Sequence, residues 1–178
     1  MADASLKDKG NAEKQDKDAF QFQLDFLKIE VEIIDKAIAR LDEITQTTKN
    51  WAILIWSGSM AVALGQADLR PYIIYTAVIP LLFWTVDARW RFYLRGFIFR
   101  DDKIAEFLNS DHLQESFRQR KIIGMSLFDP RGFQYRKTKE YKEKVNMWRS
   151  LKYPEVSTFY FGMSMMSLAV GLFFILKP

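Results

Sequence analysis

The sequence predicts an all-α membrane protein: a long amino-terminal heptad helix that runs into three transmembrane helices, plus a cytoplasmic helical segment. Three observations carry this. Residues 50–67, 71–86 and 156–176 contain no Lys, Arg, Asp or Glu. Residues 20–41 repeat apolar side chains every seven positions. Charge is also split along the chain: residues 1–50 hold 8 basic and 11 acidic groups, whereas residues 88–155 hold 16 basic and 9 acidic groups. The mean hydropathy of −0.15 is that of a soluble chain, but it averages apolar spans with charged helices.

Residues 1–17 are polar and mixed in charge, with one Gly and no aromatic residue, and predict a disordered tail. They contain no apolar core, so they do not read as a cleavable signal peptide, and the first span is expected to act as its own signal. Residues 18–49 predict a cytoplasmic bundle helix. Phe20, Leu27, Ile34 and Leu41 are seven apart, and Leu24, Val31 and Ile38 sit four after the first three of them. This is a heptad stripe. Phe26 and Ile33 widen it, which suits a bundle of more than two helices or packing on other parts of the chain. These seven stripe residues are the expected oligomerisation surface. No Gly or Pro falls in residues 20–57, so one helix is expected to leave the bundle and enter the bilayer as the first span.

About 20 apolar residues, at 1.5 Å rise each, cross a hydrocarbon core roughly 30 Å thick. The third stretch, 156–176, meets that length; 50–67 and 71–86 are short and draw on their flanks. Trp51 marks the inner boundary of the first span. Ser57, Ala61 and Gly65 form a row of small residues on one face, as do Ser167 and Gly171 in the third span, and such rows let helices approach closely in lipid. Pro71 is expected at the first position of the second span's helix, and Pro80 is expected to bend its middle.

Residues 87–155 predict the basic cytoplasmic segment. Asp87 and Arg91 have the favourable acid-first spacing of a helical pair, and helix is expected to about Leu108. Asn109, Ser110 and Asp111 read as a break and a new cap before a helix over 111–123. Gly124 and the run Asp129, Pro130, Arg131, Gly132 read as loop. A helix over 137–151 is expected, with Tyr141, Val145 and Trp148 on one face. The excess of Lys and Arg in this segment predicts that it stays inside. The expected topology is three spans in a cell inner membrane, amino terminus cytoplasmic and carboxyl terminus outside.

Chemistry is sparse. Cys is absent, which removes disulfides, thiol catalysis and Cys-based metal sites. The single His, His112, supports no His-rich metal site and reads as a surface or loop residue. There is no Gly-rich phosphate loop and no nucleophile elbow. No enzymatic activity, no catalytic residue, no metal and no cofactor is expected. Arg118, Arg120, Lys121, Arg136, Lys137 and Lys139 are the candidate contacts to an anionic ligand, with Phe117, Phe133 and Tyr135 available to stack on bases. Two readings stay open for such cations: a nucleotide or oligonucleotide ligand, or anionic lipid head groups.

Residues 79–100, IPLLFWTVDARWRFYLRGFIFR, followed later by a span that opens Phe159–Tyr160, resemble a pattern of small bacterial multi-span membrane effectors associated with anti-phage defence, the Hailong-type membrane channel among them. The resemblance covers residues 50–176. It implies a gated pore, a nucleotide or oligonucleotide signal, and an operon-encoded partner that produces it. Together these observations predict an oligomeric effector, a homo-oligomer with a tetramer favoured, that forms a gated ion-permeable pore. Ser57, Ser59, Ala61 and Gly65 are the candidate lining. The alternative is a non-conducting membrane anchor or scaffold for a partner protein.

Overall fold

A computed structural model describes the backbone of residues 2–176 and the side chains of residues 16–176. Where a disordered tail is expected over residues 1–17, the backbone from Ala2 onward is helical and forms the start of the first helix; Met1, Lys177 and Pro178 lie outside the described residues. The chain is all-helical, with no strand among the described residues. Helix α1 runs from Ala2 to Gly65 without a break. A 3-10 helix, Ala67–Ala77, leads into α2, Val78–Leu108. Then come α3, Asp111–Gln119; a short 3-10 turn, Phe133–Tyr135; α4, Lys139–Lys144; α5, Met147–Leu151; and α6, Pro154–Leu176.

Several element boundaries differ from expectation, each for a local reason. Pro71 sits inside the 3-10 helix and does not open an α-helix. Pro80 falls in the first turn of α2, where a missing N–H removes no intrahelical bond, so it does not bend a helix middle. Helix α3 ends at Gln119, because Arg120 takes the left-handed conformation at φ 53°. The helix expected over 137–151 is two helices. Asn146 adopts an extended conformation and its side chain accepts from Trp148 N at 2.8 Å, which caps α5 and stops α4.

The chain forms two compact units, and α1 and α2 contribute residues to both. The first comprises Met1–Ile38 and Gly96–Lys142. Its core joins Phe20, Leu27 and Ile34 of α1 to Ile104 and Phe107 of α2 and to Ile122; Leu24, Val31 and Ile38 pack at the edge of this cluster. The heptad stripe, expected to hold several copies together, is therefore covered within the chain over residues 20–38. The apolar residues of α2 and of the loop after α3 supply the partner surface that a second helix would otherwise give. Each methylene buried there contributes about 0.8 kcal/mol.

A buried ion pair sits in the same unit. Glu30 lies three residues after Leu27 and four before Ile34, on the apolar stripe, and is fully buried, as is Arg100. Arg100 Nε donates to Glu30 Oε1 at 2.8 Å and its Nη2 to Oε2 at 3.1 Å. The backbone N–H groups of Phe128 and Asp129 donate to the same carboxylate at 2.8 and 3.0 Å. Arg100 Nη2 also donates to Ser126 O at 2.6 Å. One carboxylate thus fixes a helix and the loop 126–129.

Changing Leu27 and Ile34 together to Asp is expected to unfold this unit, read as loss of helical circular dichroism and of protease resistance. If both survive while the mass in light scattering falls, the stripe acts between copies after all.

The second unit comprises Ala39–Arg95 and Glu143–Pro178. It is built from the end of α1, the long 3-10 helix, the start of α2, α5 and α6. Gly171 of α6 lies against the 3-10 helix so closely that an added Cβ would stand 2.7 Å from Ile74 N and 2.9 Å from Ile74 Cα. Close approach is therefore what a glycine at 171 permits.

Candidate functional site

In the second unit the usual distribution of side chains is inverted. Trp51, Ile53, Leu54, Val62, Tyr72, Tyr75, Leu82, Phe161, Met166, Phe173 and Leu176 face outward, with Tyr75 68% and Leu176 77% exposed. The interior holds Ala52, Ala63, Ala77, Ser164, Ser167 and Gly171, with Met60, Ile73, Val156 and Tyr160. Hydroxyl and indole groups bond to one another inside: Trp56 Nε1 donates to Ser167 Oγ at 2.7 Å, and Thr76 Oγ1 lies 3.0 Å from that oxygen. Ser164 Oγ donates to Ala77 O at 3.1 Å. Small residues that permit close backbones, with internal polar groups that satisfy each other, are an arrangement common where helices pack in lipid.

Two helical stretches among the described residues, within Ala67–Leu108 and Lys139–Leu176, are long and apolar enough to cross a membrane by length and composition, with mean hydropathies of 1.4 and 2.0. Only 22% and 28% of their apolar windows are buried, unlike a core helix of a soluble protein. The run at the end of α1 is not one of the two. It is bounded by Lys49 on one side and by the helix end at Gly65 on the other.

The rows of small residues divide. Ser167 and Gly171 are buried and make their close contacts within the chain. Ser57, Ala61 and Gly65 face outward on α1, and a Cβ at Gly58 or Gly65 would meet nothing within 4 Å. Beside this row a groove of about 580 Å³ is lined by Leu54, Gly58, Ser59, Val62, Leu69 and Tyr72, among others. Of the expected lining residues, Ser59 reaches it. The hydroxyls of Ser57 and Ser59 bond to their own helix, at Leu54 O and Ile55 O.

The apolar stretch of α2 ends at a buried charge. Asp87 is fully buried, and Arg91 Nε stands 3.8 Å from its Oδ1. The pair legible from the spacing is thus an interior one. The buried Tyr160 hydroxyl of α6 interacts with the Asp87 carboxylate, and Arg91 is that carboxylate's charge partner, so three polar side chains gather where the apolar stretch ends. The Arg91 guanidinium lies over the Tyr153 ring at 4.8 Å, and Trp84 Nε1 donates to Leu151 O at 3.0 Å, fastening the segment before α6 to α2.

The six cations expected to meet an anionic ligand all lie in the first unit. Arg118 pairs with Glu115 on its own helix at 2.7 Å. Hydrogen bonds from Gln119 and Arg118 hold the Glu115 carboxyl below the usual carboxylate range. A cavity of about 360 Å³ in this unit is lined by Lys103, Glu106, Ser110, His112, Gly124 and Tyr135, with Phe107 and Met125, and by none of the six. Lys103 there bridges Glu106 and Glu140 at 2.7 and 2.9 Å. His112 rests against Gly124, whose added Cβ would lie 3.4 Å from His112 Cγ. Among the described residues no three His, Cys, Asp or Glu side chains gather to hold a metal ion.

Comparison with known proteins adds no family: no protein-family model, no curated protein and no solved structure matches the chain.

Proposed function

We propose that the chain is an integral membrane protein whose second unit sits in the bilayer, and that several copies assemble through the outward face of α1 into an effector that opens an ion-permeable path. The observation that carries this reading is the inverted second unit, with large apolar side chains outside and small and hydroxyl-bearing ones within. The spans proposed are 50–67, 71–86 and 156–176, in a cell inner membrane, with 87–155 inside by the excess of Lys and Arg. A homo-oligomer is required because three spans do not enclose a pore. Ser57, Ala61 and Gly65 offer the close-packing row, with the groove beside them. The action proposed is not enzymatic. Defence against phage, with a nucleotide or oligonucleotide as trigger at Arg118, Arg120, Lys121, Arg136, Lys137 or Lys139, completes the proposal and rests on the resemblance of residues 79–100. An operon-encoded partner would supply that signal.

A second reading, a non-conducting anchor for a partner protein, is favoured by one observation. The Ser57 and Ser59 hydroxyls already bond to their own helix, and the rest of that face is apolar.

The test has two stages. Reporter fusions at Gly124 and at the carboxyl terminus should report inside and outside; an outside signal at Gly124 overturns the topology. In planar bilayers the wild type should carry current. Gly58→Leu and Gly65→Leu, which meet open space within one chain, should keep the fold but reduce oligomer mass and current. Membrane-bound protein that never conducts leaves the anchor.

A further inference from the structure

We propose that the second unit holds a binding site for the phosphate of an anionic phospholipid, formed by Arg95, Arg149 and Lys152 with Trp148 at its edge. These residues, with Glu143, Asn146, Tyr153 and Pro154, line a cavity of about 710 Å³. It is distinct from the six cations considered above, which lie in the other unit, and it rests on the membrane reading.

The two guanidinium groups are held in place by backbone. Arg95 Nη1 donates to Lys144 O at 3.3 Å, and Arg149 Nη1 donates to Glu143 O at 3.2 Å. Arg95 also lies over the Tyr153 ring at 5.7 Å. Each arginine thereby spends one donor on orientation and keeps the remaining N–H groups of its fork. Two arginines and a lysine on one cavity repel one another, and an anion between them relieves that repulsion. One carboxylate, that of Glu143, also lines the cavity, so the site carries three cations to one anion.

Position identifies the anion. The cavity includes Pro154, the first residue of α6, and the uncharged stretch begins two residues later at Val156. Trp148 is 72% exposed. An exposed indole beside the start of an apolar helix is the side chain that favours the head-group layer. Basic residues at that level attract anionic lipid, each contributing about fivefold in affinity. The acyl chains of such a lipid would lie along the apolar outer surface of α6, where Phe161 and Met165 are exposed.

The experiment uses the full chain in detergent micelles. Phosphatidylglycerol, phosphatidylcholine and inorganic phosphate are titrated separately, and binding is read by thermal shift and by lipid adducts in native mass spectrometry. Phosphatidylglycerol should bind and stabilise; phosphatidylcholine and inorganic phosphate should not. Arg149→Ala with Lys152→Ala should weaken phosphatidylglycerol binding by roughly twenty-five-fold, from the per-residue attraction above. Trp148→Ala, at an exposed ring, should weaken it without lowering the lipid-free melting point. Equal binding of the two lipids, equal binding of inorganic phosphate, or full binding by the double variant overturns the proposal. Alkaline carbonate washing of native membranes separates the failures: a chain that washes off overturns the membrane reading itself, whereas a chain that stays but does not prefer phosphatidylglycerol overturns only this site.

Discussion

Glu30→Met is expected to destabilise the first unit by about 3–5 kcal/mol, the cost of leaving a buried charge without its partner. Arg100 would then keep only Ser126 O, and its Nη1 already lacks a partner. The Phe128 and Asp129 N–H groups would lose their acceptor as well. Arg100→Met should cost less, because those two amides still solvate the remaining carboxylate. The double change Glu30→Met with Arg100→Met should recover part of the loss, since it removes both charges, but not all of it, because two amides stay orphaned. Denaturant unfolding of the four proteins in the same detergent measures this. Equal costs for the two single changes, or full recovery in the double, would show that the amides contribute nothing.

The second large effect is expected in the other unit. Gly171→Leu places a side chain where Ile74 backbone atoms stand 2.7 and 2.9 Å from the new Cβ. Backbone does not yield as a side-chain tip does, so the upper end of the overpacking range applies, about 3 kcal/mol. For a chain of this size that corresponds to a fall in melting temperature of roughly 6–12 °C. Gly162→Leu, on the same helix with nothing within 4 Å of its added Cβ, is the control and should leave the melting point within about 2 °C, as surface changes usually do. Similar losses at both positions would mean that helix composition, and not the approach of the 3-10 helix, sets the stability of α6.

These two sites differ in how far they could be read beforehand. The all-helical class and the seven-residue stripe of α1 are legible because helical period is a local property. What covers the stripe is not local: Ile104, Phe107 and Ile122 lie far along the chain, and one sequence does not pair distant apolar runs. A signal for Glu30 existed, since an acid three after Leu27 and four before Ile34 lies on the apolar face and requires a partner there. The partner, Arg100, is one of several arginines between 89 and 100, and nothing local distinguishes it. The same limit applies to Arg95, Arg149 and Lys152, which converge from two distant stretches. Small-residue rows were legible as rows, but which one would be used within the chain depended on the 3-10 helix, whose tighter winding leaves no periodic mark. Asn146 was the residue that could have divided the helix expected over 137–151, as an Asn two before Trp148 is a capping signal.

The 3-10 helix also alters reach. Eleven residues, Ala67–Ala77, extend about 22 Å at the 3-10 rise, against about 16 Å as α-helix. Seven of those residues, 71–77, belong to the uncharged stretch and extend about 14 Å, and residues 78–86 add about 13 Å. The stretch 71–86 therefore measures roughly 27 Å, against roughly 24 Å if wound entirely as α-helix, and a hydrocarbon layer is about 30 Å thick. If this stretch crosses a bilayer as proposed, its winding and the thickness of the surrounding lipid are coupled: rewinding it to α-helix would draw its two ends about 3 Å closer.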